Sequence, residues 1–316
     1  MRRFLARRLA HGAAVIFIAA SLSFLLIHLA PGDPFSSTVE LTIDPSVLTA
    51  RRQTYGLDRP LPEQYVRFLG QLAVGNLGPS VKDGRPAATV LAQALPQTLL
   101  LMGTALVLSF VAGVALGAWQ ATRAGTRTDR FASTMSLVIA SMPEFALGLA
   151  LLVLLSDKVP LFPAGGMSEL GMPDTLSSRL HHLVLPALTL TLLGSASIAR
   201  YQRAAVLDVL PQDYIRTARA KGVGERQLLW RHALRNAFVP TIVLAGLSLP
   251  TLLGGAVFVE RIFSWPGMGD LAASAFQSRD YPVVIGTAMI GAVLVVAGGI
   301  LTDVLHAAVD PRVRAR

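Results

Sequence analysis

The chain has 316 residues, 53% of them hydrophobic and only 15% charged, with a mean hydropathy of +0.55. Soluble domains carry about 25% charged residues, so these proportions exclude an ordinary soluble enzyme and define a polytopic membrane protein. The net charge of +9 needs no nucleic-acid partner, because membrane proteins keep Lys and Arg in cytoplasmic loops, and the absence of cysteine excludes disulfides, thiolate metal sites and a cysteine nucleophile.

Arg2, Arg3, Arg7 and Arg8 precede an apolar run from Leu9 to about Ala30. That run is longer than the 7–15 residues of a signal-peptide core. At about 1.5 Å per residue it crosses a hydrocarbon layer about 30 Å thick. It reads as a retained first transmembrane helix. The pattern gives six spans, near 9–30, 95–122, 131–156, 183–203, 237–259 and 283–308. The segments 1–8, 123–130, 200–236 and 309–316 hold 18 Lys and Arg in 61 residues, against 10 in 113 for 31–94, 157–182 and 260–282. The positive-inside rule then places both termini in the cytoplasm.

Residues 31–94 are the one sizeable outer segment and read as an extracytoplasmic cap. Pro31-Gly32-Asp33-Pro34 stops the first helix. Asp44-Pro45 opens a short helix that Gly56 closes, and a second helix begins near Pro62. The cap serves either as a plain connector or as a docking surface for a soluble partner. Within the spans, Pro96, Pro143, Pro186, Pro240 and Pro250 permit kinks. Gly113 and Gly117 form a small-xxx-small pair, and Gly254-Gly255, Gly291 and Gly298-Gly299 suit close helix packing as well.

The most polar and basic stretch of its length runs from Asp213 to Pro240, within the loop 204–236. After Leu210-Pro211, Asp213 is placed as an N-cap, Tyr214 to Lys221 as two helical turns, and Gly222 as the residue past the end. Gly224 opens a second helix with Glu225 in its favourable first turn. The expected structure is a cytoplasmic helix-turn-helix. Ile215, Ala218 and Gly222 share one face, narrow enough to sink into a groove, with Arg216, Arg219 and Lys221 beside it to grip the rim. The alternative is a solvated basic loop. A third reading, a DNA-reading helix-turn-helix, is disfavoured because a span at each end holds the pair against the bilayer.

Two acids sit in or near spans, where a charge costs about 2.5–3.5 kcal/mol on insertion scales. Glu144 follows Pro143 midway through the third span; it lines a water-filled cavity or is a buried acid with a partner. Asp303 lies near the cytoplasmic end of the sixth span, either solvated at the interface or paired with an arginine of the 200–235 loop. His181-His182 and the scattered His28, His232 and His306 lack metal-site spacing, so no metal is expected. No G-x-x-x-x-G-K-[ST], H-E-x-x-H or G-x-S-x-G is present, so the chain is not expected to bind ATP by a P-loop or to catalyse hydrolysis.

Arg216-Thr217-Ala218, three residues, Gly222, nine residues and His232-Ala233-Leu234-Arg235 resemble the EAA loop of ATP-binding-cassette importer permeases, roughly E-A-A-x3-G-x9-I-x-L-P. The first, second, Ile and Pro positions depart from that pattern. The form R-T-A-R-A-K-G followed by R-H-A-L-R-N is similar to the dipeptide/oligopeptide branch, whose relatives also handle glutathione and nickel complexes. Further matches run through the chain: Arg7-Arg8, L-A-P-G-D-P at 29–34, G-L-D-R-P at 56–60, F-S-W-P-G at 263–267, R-D-Y-P-V-V at 279–284 and D-P-R at 310–312. The resemblance implies an all-α permease subunit of an importer for peptides or similar small solutes, in the plasma (inner) membrane. It implies a second, similar permease, two ATPases that carry ATP and Mg, and an extracytoplasmic substrate-binding protein. The coupling role falls on Tyr214, Arg216, Thr217, Ala218, Arg219, Ala220, Lys221 and Gly222; Pro143, Glu144 and Asp303 are the candidate pathway residues. The rival reading is a proton-coupled secondary transporter that uses Glu144 or Asp303.

Overall fold

The computed structural model describes residues 2–29, 59–169, 171, 175–238, 241 and 256–309. Among these the structure is helical, with one isolated bridge between Pro79 and Pro86 in place of any strand. Four helices are long and apolar enough to cross a membrane: Ala6–Leu29, Ala87–Thr122, Leu176–Val209 and Tyr281–Val304. A bent pair, Arg127–Ser141 with Glu144–Lys158, makes a fifth. The short helix expected between Asp44 and Gly56, and most of the span expected at 237–259, lie outside the described residues.

The contacts divide the chain into two units, residues 1–97 with 267–296, and residues 98–266 with 297–316. In the first, α1 (Arg2–Leu29) carries α2 (Leu61–Ala73) on one side. α2 starts where the sequence places it, because Pro60 and Pro62 suit a first turn and Glu63 meets the helix dipole there. Its inner face sets Tyr65 and Phe68 against Phe24, with Tyr65 Oη 2.6 Å from Ser21 Oγ. The start of α3 (Ala87–Thr122) buries Ala87, Leu91 and Ala94 among Met268 and Ala275 of α10 (Met268–Gln277) and Val283 of α11 (Tyr281–Val309). Asp280 is 2% exposed and accepts hydrogen bonds from the Ser80 hydroxyl and from the Lys82 N–H at 3.2 Å.

The second unit is built around α6 (Leu176–Val209), the most buried of the long helices. α3 crosses it at Gly113 and Gly117. A Cβ on Gly113 would stand 2.7 Å from Ile198 Cβ and 2.9 Å from the Ser195 carbonyl. One on Gly117 would stand 2.8 Å from Gln202 Cβ and run into the Ala199 carbonyl. Only glycine lets the two backbones approach this closely. Nothing within 4 Å faces Gly291 or Gly299, so the close packing expected there is not made within the described chain. A core of Leu101, Met102, Leu183, Leu185, Phe263 and Trp265 fills the other end of the unit.

The span expected at 131–156 is not one kinked helix. α4 (Arg127–Ser141) and α5 (Glu144–Leu152) meet at 104°, and α5 runs on as a π-helix from Val153 to Lys158. Pro143 is the cause: it disfavours the helical region for Met142, which adopts φ −73° and ψ 136°, and the helix restarts at Glu144.

Candidate functional site

α6 ends at Val209, and a turn through Leu210, Pro211 and Gln212 leads into α7 (Asp213–Ala220). The N-cap position belongs to Gln212, which makes no side-chain cap bond; Asp213, expected there, is instead the first helical residue. Its charge still sits in the first turn, where the helix dipole favours it. At the other end Gly222 adopts φ +81°. The Gly222 N–H donates to the Arg219 carbonyl at 3.0 Å and the Val223 N–H to the Ala218 carbonyl at 3.3 Å. These two bonds are a Schellman motif, and they close α7 at the residue the sequence marks. Gly224 then opens α8 (Glu225–Gln227), which continues as a π-helix over Leu228–Ala233.

The face of α7 expected to enter a partner is turned the other way. Ile215 is fully buried against Leu228 and Ala233, with Ala218, Val223 and Leu229 packed around it. An eight-residue helix is too short to stand alone in water, so its one large aliphatic residue, Ile215, is used to hold the hairpin together. What α7 presents outward is Tyr214, Arg216, Thr217, Arg219, Ala220 and Lys221. Arg219 forks onto Glu225 at 2.6 and 3.2 Å, and that guanidinium holds the Glu225 carboxyl below its ordinary value. Arg216 stands 3.8 Å from Asp213, and Asn236 donates to Tyr214 Oη at 2.7 Å. Gly224, Glu225, Gln227 and the exposed Trp230 line a shallow concavity beside this surface. The result is a short charged ridge, with Tyr214 and Trp230 exposed on the same hairpin.

The candidate pathway residues are on other elements. Pro143 and Glu144 occupy the break between α4 and α5. One Glu144 carboxylate oxygen is buried without a hydrogen-bond partner, while the backbone N–H of Val259, in the first turn of α9 (Val257–Ile262), bonds the carboxylate. Asp303 is half-buried on α11. His181 and His182 turn to backbone carbonyls, those of Leu161 at 3.1 Å and Ser178 at 2.8 Å. Among the described residues no three His, Asp or Glu side chains converge as metal ligands.

Three buried acids escaped the sequence reading. Asp129 accepts both Arg203 Nε, at 2.9 Å, and Arg203 Nη2, at 2.8 Å. Glu260 is fully buried and accepts from Thr98 Oγ1 at 2.6 Å. Asp280 is the third. Each pairs with a residue 74 or more positions away, so no local spacing announces it.

Long apolar helices, a proline-broken span and a charged helical hairpin outside the apolar segments define the membrane-spanning subunit of a transporter. Solved structures agree at the level of fold. The inward-facing methionine ABC transporter MetNI superposes with a TM-score of 0.52 at 21% identity, covering 72% of this chain and 95% of that one. An amino acid ABC transporter superposes equally well, at 17% identity over 70% and 94%. The chain belongs to the family of inner membrane components of binding-protein-dependent transport systems, which matches residues 113–315; the family's N-terminal component matches residues 1–102. The oligopeptide transport system permease protein AppB of Bacillus subtilis is 39% identical over 99% of both chains. OppB of Mycobacterium tuberculosis is 38% identical, and the glutathione transport system permease protein GsiC of Escherichia coli 35%, each over 99% of both chains. The chain is therefore a multi-pass permease, with a role in transport rather than catalysis. The ion-driven alternative finds no support among these relatives.

Proposed function

We propose that this chain is one of two similar permease subunits of an ATP-driven importer for peptides or similar small solutes, and that it forms half of the translocation pathway. The observation that carries the substrate class is end-to-end similarity to permeases named for oligopeptides, 39% identical over 99% of the chain. Both termini and the loop 204–236 face the cytoplasm of the plasma (inner) membrane, in keeping with the density of Arg in the segments on that side. Two ATPase subunits hold ATP and Mg; this chain holds neither. A substrate-binding protein delivers the solute from outside and meets the cap at residues 31–94.

The ridge of α7 is the coupling element. Tyr214, Arg216, Thr217, Ala218, Arg219, Ala220, Lys221 and Gly222 form or shape it, with Ala218 serving inside the hairpin. Closure of the ATPases pushes a ridge that is braced by its own small core, so the push is delivered to α6 rather than absorbed in bending. Pro143 and Glu144 mark the pathway where the third span breaks, and Asp303 lies on the last span toward the same side as α7.

The test is uptake in vesicles carrying this chain with its partner permease, ATPases and binding protein. ATP-dependent uptake of a labelled oligopeptide supports the reading, and uptake that ignores ATP but collapses with the proton gradient would sink it. Glu144→Gln is expected to slow uptake without lowering peptide binding by the soluble protein; unchanged uptake removes Glu144 from the pathway.

A further inference from the structure

We propose that Asp129 and Arg203 are positioning residues of the transport cycle, clamping the first turn of α4 to the helical shaft that carries α7. This rests on the coupling role given to α7 above. The ion pair differs from the exposed pairs of the helical hairpin. Surface pairs hold weakly and rearrange freely, and Arg219–Glu225 and Arg216–Asp213 are of that kind. Asp129 is instead 2% exposed, and the Arg203 fork meets it with two parallel bonds, the geometry with the greatest directional constraint. Its oxygens also accept from the Gly125 N–H at 3.0 Å and the Ser133 hydroxyl at 3.3 Å. The loop 123–126, the start of α4 and the shaft are therefore fixed to one carboxylate.

The same turn of α6 gathers the neighbouring helices. Gly117 of α3 lies against Ala199, Gln202 and the Arg203 N–H. Gln202 is fully buried and accepts from Thr241 Oγ1 at 2.6 Å. From Arg203 the helix runs unbroken to Val209, about 9 Å at 1.5 Å per residue. Val206, between them, is packed among Leu234 and Ala237 of the segment that follows the hairpin. A displacement of α7 thus reaches the turn Ala199–Arg203 through a rigid rod and passes from there to α3 by contact and to α4 by the clamp. α4 ends at the Pro143–Glu144 break, so the clamp ties the push to the part of the span that bends.

The experiment uses the assembled transporter and reads solute taken up per ATP hydrolysed. Asp129→Asn and Arg203→Lys each keep the size of the side chain while removing one charge or the fork. Each is expected to lower that ratio roughly fivefold or more, a typical coupling magnitude, while ATP hydrolysis continues. The double exchange Asp129→Arg with Arg203→Asp is expected to recover part of the loss. A ratio unchanged in both single variants overturns the proposal.

A second measurement needs no disruptive variant. The chain lacks cysteine, so spin labels can be set at Arg127→Cys and Tyr201→Cys, both exposed and flanking the clamp. The proposal expects one label-to-label distance with and without ATP; a distance that changes between the two states overturns it. In either case cross-linking of α7 to an ATPase is read in the same preparation. Contact present with a changing label distance refutes the clamp alone, whereas contact absent refutes the coupling role beneath it.

Discussion

Two ion pairs in this chain have similar lengths and opposite settings. Arg219–Glu225 joins α7 to α8 in full view of solvent, whereas Asp129–Arg203 joins α4 to α6 with its carboxylate almost completely enclosed. In water the first is screened, and each of its members is free to trade partners. In the second, Asp129 has little water to fall back on, so losing Arg203 leaves a buried carboxylate without its counterpart, whereas the guanidinium, 30% exposed, keeps some hydration. On the function proposed above, the contrast separates two jobs: the exposed pair shapes a surface offered to another subunit, and the enclosed pair fixes how the chain's own helices are joined. A hairpin held by one small core, with its charges outside, is suited to be gripped. A turn of helix fixed to three neighbours is suited to pass on the movement.

The comparison can be broken most severely at Gly222. Its φ of +81° costs any other residue roughly 1–2 kcal/mol, although a Cβ would meet nothing within 4 Å. Gly222→Leu should therefore still insert in the membrane, yet abolish ATP-driven uptake, because the end of α7 and the surface beside it are both rebuilt. Uptake close to normal in that variant would mean that the ridge is not gripped.

A smaller effect sharpens the other half. Gly117→Ala should lower the thermal stability of the purified chain by about 1–3 kcal/mol, since the atoms it meets are backbone or, for Gln202 Cβ, bonded directly to it, and cannot move aside. Gly291→Ala, with open space at its position, should change stability by no more than about 1 kcal/mol, and toward greater stability. Equal losses in the two variants would contradict the account of the α3–α6 crossing. The smallest effect on stability belongs to Arg219→Ala. Unfolding of the chain should be unaltered, because the pair it removes is exposed, while the affinity of the ATPases for the permease should fall. An unfolding midpoint that drops with unchanged affinity would reverse the roles given to the two pairs.

Much of this was legible in the sequence, and what was not has physical reasons. Runs of apolar residues and the density of Arg between them give the helices and the helical hairpin, because insertion energies depend on composition over about 20 residues. Gly222 was legible because a positive φ selects glycine, and Gly113 and Gly117 because close helix contact does. The inward turn of Ile215 was missed because its partners, Leu228 and Ala233, belong to the second half of the hairpin, and periodicity within α7 cannot say which side they cover. The sequence marks the 104° break only as a site that permits a kink, since proline frees the backbone without dictating the angle. Asp129, Glu260 and Asp280 stayed hidden because each is made tolerable by a distant partner, and a single sequence does not report such pairings.

Cross-linking reads the central claim most directly. With the chain otherwise free of cysteine, Lys221→Cys places one thiol on the exposed end of α7. In membranes holding the assembled transporter it should cross-link to an ATPase subunit and stay inaccessible to a membrane-impermeant thiol reagent added from outside. A thiol that reacts from outside, or that reaches no ATPase in an actively transporting preparation, would contradict the account.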